Sequence, residues 1–139
     1  MTYDEILNFN KLTSWIHNRR YVLAAKYLKL ISNYTCRPVR ILEIGCANAK
    51  LYEVLNKQHK FISYIGIELD EKFFMEAQHK YYQYSNFEIR LGDASDQNLY
   101  PDCGCCAPDI IVCFETFEHM PRDKVEKILG IVKNLRPKI

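Results

Sequence analysis

The stretch ILEIGCANAKL, residues 41–51, decides the fold of this chain. It belongs to a longer pattern in which the apolar run VRILEI (39–44) has the length of a buried strand and leads directly into Gly45. The polar-striped segment NAKLYEVLNKQ (48–58) follows with helical periodicity. A strand, a glycine turn and a helix in this order predict a nucleotide-binding βαβ unit.

The same alternation continues along the chain. After the first unit, the sequence predicts strands at SYIGIEL (63–69), NFEIRLGD (86–93) and DIIVCFE (109–115), and helices at 70–83 and 122–137. Asp70 is the expected N-cap of the helix that follows it. Strands that alternate with helices of this length indicate an α/β fold with a parallel sheet and flanking helices. The last strand is apolar on both faces, so we expect it to be central.

The first third of the chain predicts two helices ahead of the sheet. One places Ile6, Phe9, Leu12 and Ile16 on one stripe, and the second buries Leu23, Ala24, Tyr27, Leu28 and Ile31. Arg37-Pro38 ends the second helix. The basic, aromatic segment WIHNRRY (15–21) is either a lid over a ligand or a solvated helix face.

Each predicted strand ends close to an acidic residue. These residues are Glu43, Glu68, Asp93 and Glu115. In an open parallel sheet the carboxyl ends of the strands lie at one edge, and ligands bind there. Because core packing does not require four acids at one edge, the pattern predicts a binding site.

Composition limits the classes of protein to consider. The 139 residues are 48% hydrophobic and 26% charged, as expected for one globular domain. The net charge of +2 is too small to indicate nucleic acid or a membrane as partner. No apolar run approaches the roughly 20 residues of a membrane span, and the polar N-terminus is unlike a signal peptide. We therefore expect a cytoplasmic protein without membrane association.

The six cysteines predict no metal centre. Cys103, Cys105 and Cys106 form one cluster without a second pair, whereas a zinc site usually has two spaced pairs. We expect reduced thiols in this loop. Cys46 and Cys113 lie in or beside strand-like runs, where cysteine is commonly a small core residue.

Four segments in order, ILEIGCANAKL, YIGIELD, LGDA and DIIVCFETFEHMP, resemble the class I S-adenosylmethionine-dependent methyltransferases. The resemblance extends from about Arg40 to Pro137. It implies a Rossmann-like core at 37–139, preceded by a helical lid or cap at 1–36, within one domain. Because the last predicted strand would leave an open apolar edge, we expect this to be the N-terminal portion of the domain, with further strands to follow.

The resemblance also implies S-adenosylmethionine as cofactor and a role for each matching residue. Glu68 would accept hydrogen bonds from the ribose hydroxyls, with Leu69 against the adenine. Asp93 would accept from the adenine amine, and the Ala94 amide would reach a ring nitrogen. The residues expected at the methionine end are Glu43, Gly45, Cys46, Ala47, Phe114 and Glu115. His119, with Glu118 beside it, would line the acceptor pocket or act as general base.

The glycine count distinguishes two possible nucleotides. Counting from Gly45, a dinucleotide loop needs glycine at the third position and a small residue at the sixth, where this chain has Ala47 and Lys50. S-adenosylmethionine has no pyrophosphate for the backbone to approach, so the pattern counts against NAD more than against S-adenosylmethionine. Ala49 would constrain the loop if that position takes a positive φ.

Alternatives remain at the level of sequence. An NAD-dependent oxidoreductase and a non-catalytic nucleotide-binding fragment are the two rival classes. Glu115, Glu118 and His119 also match the metal-binding segment of the small-RNA 2′-O-methyltransferases, so RNA is possible as acceptor and a divalent ion as partner. We predict a small-molecule acceptor and no metal ligands.

Overall fold

The computed structural model describes residues 11–58, 62–102 and 105–135. In chain order its regular elements are helix α1 (Lys11–Thr35), strand β1 (Val39–Ile44), helix α2 (Lys50–Gln58), strand β2 (Ile62–Glu68), helix α3 (Glu71–Tyr81), strand β3 (Phe87–Leu91), strand β4 (Ile110–Cys113) and helix α4 (Arg122–Leu135). Short 3-10 turns lie at Gln97–Leu99 and Phe117–His119. Each strand and helix predicted after residue 38 is confirmed, with ends that differ by a few residues.

The four described strands form one parallel sheet in the order β3-β2-β1-β4. This arrangement confirms the predicted α/β, Rossmann-like fold. The chain reverses direction across the sheet after β3 and places β4 on the far side of β1, next to Ile41 and Glu43. Within the described residues β4 therefore lies at an edge, and the expectation that it is central is not met there.

Helix α1 corrects the prediction for the first third of the chain. The described part is one continuous helix, and Ile6 and Phe9 lie outside the described residues. Its inner face carries buried Ala25 and Leu28, but Leu23 and Tyr27, predicted to be buried, are 48% and 67% exposed. At about 100° per residue, Leu23 lies nearly opposite Ala25. Among the described residues, only a narrow stripe of the helix packs against the sheet and its helices.

Alternation along β1 separates two cores, one on each face of the sheet. Val39 and Ile41 point to the core formed with α1, α2 and α3, whereas Leu42 and Ile44 point to the core formed with α4. Tyr52 of α2 is at the centre of the first core. Its ring contacts the rings of Tyr64, Tyr81 and Phe87, with centroids 4.7–5.3 Å away.

The entry to helix α3 confirms the predicted cap. Asp70 Oδ1 accepts hydrogen bonds from the backbone N–H groups of Lys72 (2.8 Å) and Phe73 (3.3 Å). These donors have no partner within the helix, so the carboxylate stabilises the first turn. The cap places Leu69 and Glu68 immediately before a helix N-terminus.

A buried carboxylate joins the beginnings of β1 and β4. Asp109 accepts two hydrogen bonds from the Arg37 guanidinium, at 2.9 and 2.6 Å, and one from the Arg40 backbone N–H at 2.9 Å. Burial alone would raise the pKa of Asp109, but these donors outweigh it and lower the pKa to about 2. The ion pair therefore favours the ionised, folded form.

We expect Asp109→Asn to lower the free energy of unfolding by about 2 kcal/mol at neutral pH, since it leaves the Arg37 guanidinium without a charged partner. The folded pKa is below the unfolded value of about 3.9, so the contribution is complete above pH 4 and is lost as the pH falls through 2. Urea unfolding of both proteins between pH 2 and 7 measures this difference. Asp102→Asn, at an exposed carboxylate, is the control; an equal loss in both variants would contradict the role of the pair.

Candidate functional site

A cleft of about 420 Å³ lies at the carboxyl ends of the four strands. All ten residues predicted to bind a cofactor line it: Glu43, Gly45, Cys46, Ala47, Glu68, Leu69, Asp93, Ala94, Phe114 and Glu115. The cleft extends across the sheet edge, from Asp93 after β3 to Glu115 after β4. The parallel topology thus brings together four segments that are distant in sequence.

The turn after β1 is held in an unusual backbone conformation. Gly45, Ala47 and Ala49 all have positive φ, at 69°, 46° and 58°. The backbone N–H groups of Gly45 and Cys46 both donate to the Ile67 carbonyl oxygen, at 2.9 and 3.2 Å. Left-handed backbone costs a residue with a Cβ about 1–2 kcal/mol. The two alanines therefore adopt a loop shape that glycine would adopt more easily, as anticipated for Ala49.

Gly45 is required by a close contact as well as by its φ. A Cβ at this position would overlap Thr116 Oγ1 and lie 2.6 Å from Thr116 Cγ2. Thr116 follows β4 and is held by a hydrogen bond to the Phe114 carbonyl oxygen (2.9 Å). The glycine therefore allows the segment after β4 to close against the turn after β1.

Glu68 organises the turn from the end of β2. Its Oε2 accepts from the Ala47 backbone N–H at 2.7 Å, and its Oε1 accepts from the Asp70 backbone N–H at 2.9 Å. The residue is only 8% exposed, yet it lines the cleft. Each carboxylate oxygen accepts more than one hydrogen bond, so acceptor capacity toward the cleft remains.

Glu43 is the most deeply buried acid of the cleft, at 2% exposure. The Tyr64 hydroxyl donates to its Oε2 at 2.5 Å. Burial raises the pKa of the Glu43 carboxyl to about 8, although the Tyr64 hydrogen bond and the charge of Arg20 oppose the shift. At neutral pH this carboxyl is largely protonated, and a cation that enters the cleft would favour its ionised form.

Asp93 forms an ion pair that the sequence did not reveal. Lys124 Nζ, from α4, donates to Asp93 Oδ2 at 2.6 Å, and the Ser95 backbone N–H donates to Oδ1 at 2.9 Å. The Lys124 hydrogen bond is the main reason that the pKa of Asp93 falls to about 2. Asp93 is therefore ionised at neutral pH.

Helix α1 closes the β4 end of the cleft. Arg20 and Tyr21, within the segment that was either lid or solvated face, both line it. The Arg20 guanidinium forms an ion pair with Glu115 and donates to the Tyr21 hydroxyl at 3.0 Å. The Tyr21 ring meets the Phe114 ring edge-on, with centroids 5.6 Å apart. The lid alternative for residues 15–21 includes Arg20, but the sequence did not indicate that Glu115 would be its partner.

The two predicted catalytic residues have different positions. His119, in the 3-10 turn after β4, lines the cleft. Glu118 is exposed and is not among the lining residues found in the described parts of the chain. Glu115 is paired with Arg20, and across residues 11–58, 62–102 and 105–135 no three histidine, cysteine or acidic side chains are grouped as metal ligands. Of the three residues that match the metal-binding segment, Glu115 and His119 line the cleft, and Glu118 is absent from its described lining.

The described cysteines are free thiols that differ in their exposure to solvent. Cys46 is buried in the first core, and burial is the main reason that its thiol pKa rises. Cys105 and Cys106 are exposed, with sulfur atoms 3.5 Å apart, while Cys103 lies outside the described residues.

In the described part of the chain, no helix is long and apolar enough to cross a membrane.

Comparison with known proteins identifies a family match. A family model described as a methyltransferase domain matches residues 42–138, which extend from within β1 to beyond the end of α4. No curated protein sequence matches the chain significantly. The match begins within the ILEIGCANAKL stretch, so it rests on the same segments that build the cleft.

Solved structures share the fold at low sequence identity. WbdD has a TM-score of 0.69 at 19% identity, over 85% of this chain and 27% of its own. The methyltransferase domain of bacterial CtHen1-CN has a TM-score of 0.68 at 16% sequence identity, and the alignment covers 87% of this chain and 62% of that one. Magnesium protoporphyrin IX methyltransferase (ChlM) from Synechocystis PCC 6803, with bound SAH, has a TM-score of 0.67 at 17% sequence identity. The alignment covers 91% of this chain and 56% of that one. The present chain thus spans about a quarter to three fifths of these proteins.

We expect Gly45→Ala to lower the free energy of unfolding by at least about 1–2 kcal/mol, because the new Cβ adds a clash with Thr116 to a positive φ. Gly130→Ala is the matched control, since a Cβ at that position of α4 meets nothing within 4 Å. The control should be neutral or stabilising by up to about 1 kcal/mol, because alanine favours helix. Urea denaturation measures both; similar stability of the two variants would contradict the close contact.

Proposed function

The chain belongs to the methyltransferase-domain family, and on that premise we propose that it binds S-adenosylmethionine and transfers the sulfonium methyl group to a small-molecule acceptor. The observation that carries the proposal is the convergence of the turn after β1 and the strand-end acids on one cleft. S-adenosylmethionine offers hydroxyl and amine donors, an ammonium group and a sulfonium cation, each of which suits a carboxylate. It has no phosphate that would require a glycine-rich cradle.

The proposed cofactor position follows the order of the strands. Glu68 would accept hydrogen bonds from the ribose hydroxyls through its remaining acceptor capacity. Leu69, which is 64% exposed on the cleft wall, would pack on the adenine and lose contact with water. Asp93 would accept a hydrogen bond from the adenine amine, and the Ala94 backbone N–H would donate to a ring nitrogen. The turn after β1, with Glu43 beneath it, would hold the methionine end.

The residues of this chain contribute mainly positioning. When bound, S-adenosylmethionine supplies an activated methyl group for in-line displacement by the acceptor. The hydrogen bonds of the turn after β1 fix the position of the cleft wall, and this wall would orient the methyl group toward the acceptor. His119, exposed at the cleft, would line the acceptor pocket or accept a proton from an oxygen or nitrogen nucleophile.

Calorimetry tests the proposal directly. S-adenosylhomocysteine and NAD are titrated separately into the protein. Saturable binding of S-adenosylhomocysteine alone supports the proposal. Binding of NAD alone would make the protein a dinucleotide-binding domain, and binding of neither would leave a fold without cofactor function; either result would overturn the proposal.

Glu68→Ala should weaken S-adenosylhomocysteine binding at least tenfold, equivalent to roughly 1.4 kcal/mol, because it removes the ribose acceptor. It also removes the acceptor for the Ala47 and Asp70 N–H groups, so thermal unfolding must show that the variant is folded. Glu71→Ala, an exposed acid in the first turn of α3, is the control. Unchanged affinity in a folded Glu68→Ala protein would exclude Glu68 from the site.

Metal-dependent RNA 2′-O-methylation is the alternative that the sequence suggested, but Glu115 is paired with Arg20 and Glu118 is not among the described residues that line the cleft. We therefore expect EDTA to leave S-adenosylhomocysteine affinity unchanged within the error of the titration. The measurement is the same titration after dialysis against chelator. A clear loss of binding that Mg²⁺ or Mn²⁺ restores would revive the metal-dependent reaction.

A further inference from the structure

Charge is distributed unequally along the cleft. Besides His119, its described lining includes two basic residues, Arg20 and Lys124. Lys124 is bound to Asp93 after β3, at the end proposed for the adenine. Arg20 lies at the opposite end, among Glu43, Glu115 and Phe114. The only guanidinium that the described lining contains is therefore at the end proposed for the methionine group.

Arg20 is held in position on several sides. Its guanidinium carbon lies 4.8 Å from the centre of the Tyr21 ring and 5.8 Å from the centre of the Phe114 ring. The ion pair with Glu115 fixes one edge, and the side chain is only 16% exposed. Among the described residues its Nε has no hydrogen-bond partner. A guanidinium held in this way loses little conformational entropy when it binds an anionic ligand, and its Nε–H remains available as a donor.

The methionine end of the cofactor presents two charges of opposite sign. Its ammonium group suits the acidic side chains at this end, Glu43 and Glu115. Its carboxylate would lose water in this part of the cleft and would lie close to the Glu115 carboxylate, so it needs a cationic hydrogen-bond donor as partner. The Arg20 guanidinium lines the cleft, and its Nε–H, unpartnered among the described residues, can donate a charge-assisted hydrogen bond to a carboxylate there.

We propose that Arg20 is a specificity-determining residue that binds the carboxylate of the cofactor's methionine end, so that helix α1 recognises this group as it covers the cleft. The inference rests on the proposed binding of S-adenosylmethionine and extends it. Through Arg20, the N-terminal helix becomes part of the binding site. The cleft then distinguishes S-adenosylmethionine from cationic sulfonium nucleosides that lack the carboxylate.

The test compares S-adenosylmethionine with decarboxylated S-adenosylmethionine, which keeps the ammonium and sulfonium groups and lacks only the carboxylate. Calorimetry should show that the wild-type protein prefers S-adenosylmethionine at least tenfold. In Arg20→Met the preference should fall to within threefold, through weaker binding of S-adenosylmethionine. Arg20→Lys keeps the positive charge and should therefore retain part of the preference for S-adenosylmethionine. The ratio of two affinities in one protein is insensitive to a general loss of folded protein.

Arg19→Met is the matched control. Arg19 is the exposed neighbour on the same helix, with its guanidinium over the Trp15 ring at 4.8 Å, and it does not line the cleft. Its substitution should leave the preference unchanged. A full preference in Arg20→Met, or a wild-type protein that binds both ligands equally, would overturn the assignment of Arg20 and leave the proposed function intact. Failure of the wild-type protein to bind S-adenosylmethionine at all would overturn the proposed function itself. If Arg20→Met does not fold, the wild-type ratio and Arg20→Lys decide the question.

Discussion

The architecture of the site depends on the turn between β1 and α2. Two successive N–H groups of this turn share the Ile67 carbonyl oxygen, and a third is held by the Glu68 carboxylate. These bonds attach the turn to the end of β2 and hold Ala47 in left-handed backbone. On the other side, the absence of a Cβ at Gly45 admits Thr116. One turn thus positions the ends of three strands relative to one another.

Electrostatics follows from this geometry. The carboxyl ends of parallel strands bring the acids together, and the cores on both faces of the sheet exclude water beneath them. Glu43 illustrates the consequence, because burial raises its pKa to about 8 despite the Tyr64 hydrogen bond. Asp93 shows the opposite behaviour, since Lys124 stabilises its ionised form. Two acids of one cleft therefore have different protonation at neutral pH, for reasons that lie in their neighbours.

Much of the fold was accessible from the sequence because local patterns agree with the tertiary structure. The continuous apolar run of β1, the Asp70 cap and the alternation of strands with helices each correspond to an element that the structure contains. The prediction failed where burial depends on what an element packs against. The helical pattern of residues 23–31 is real, but its inner face is centred on Ala25 and Leu28 rather than on Leu23 and Tyr27. Likewise, the apolar strand β4 lies at an edge of the sheet within the described residues.

By itself, the sequence determined the succession of strands and helices, the glycine turn and the acids at the strand ends, because hydrophobic period and turn chemistry are local properties. Parallel pairing then places those acids at one edge, so the ten predicted residues line one cleft. Only the tertiary structure decided the partners of those acids. Arg20 lies 95 residues before Glu115, Lys124 lies 31 residues after Asp93, and Tyr64 lies 21 residues after Glu43. Such contacts depend on how the helices pack on the sheet, and no local pattern in a single sequence encodes them.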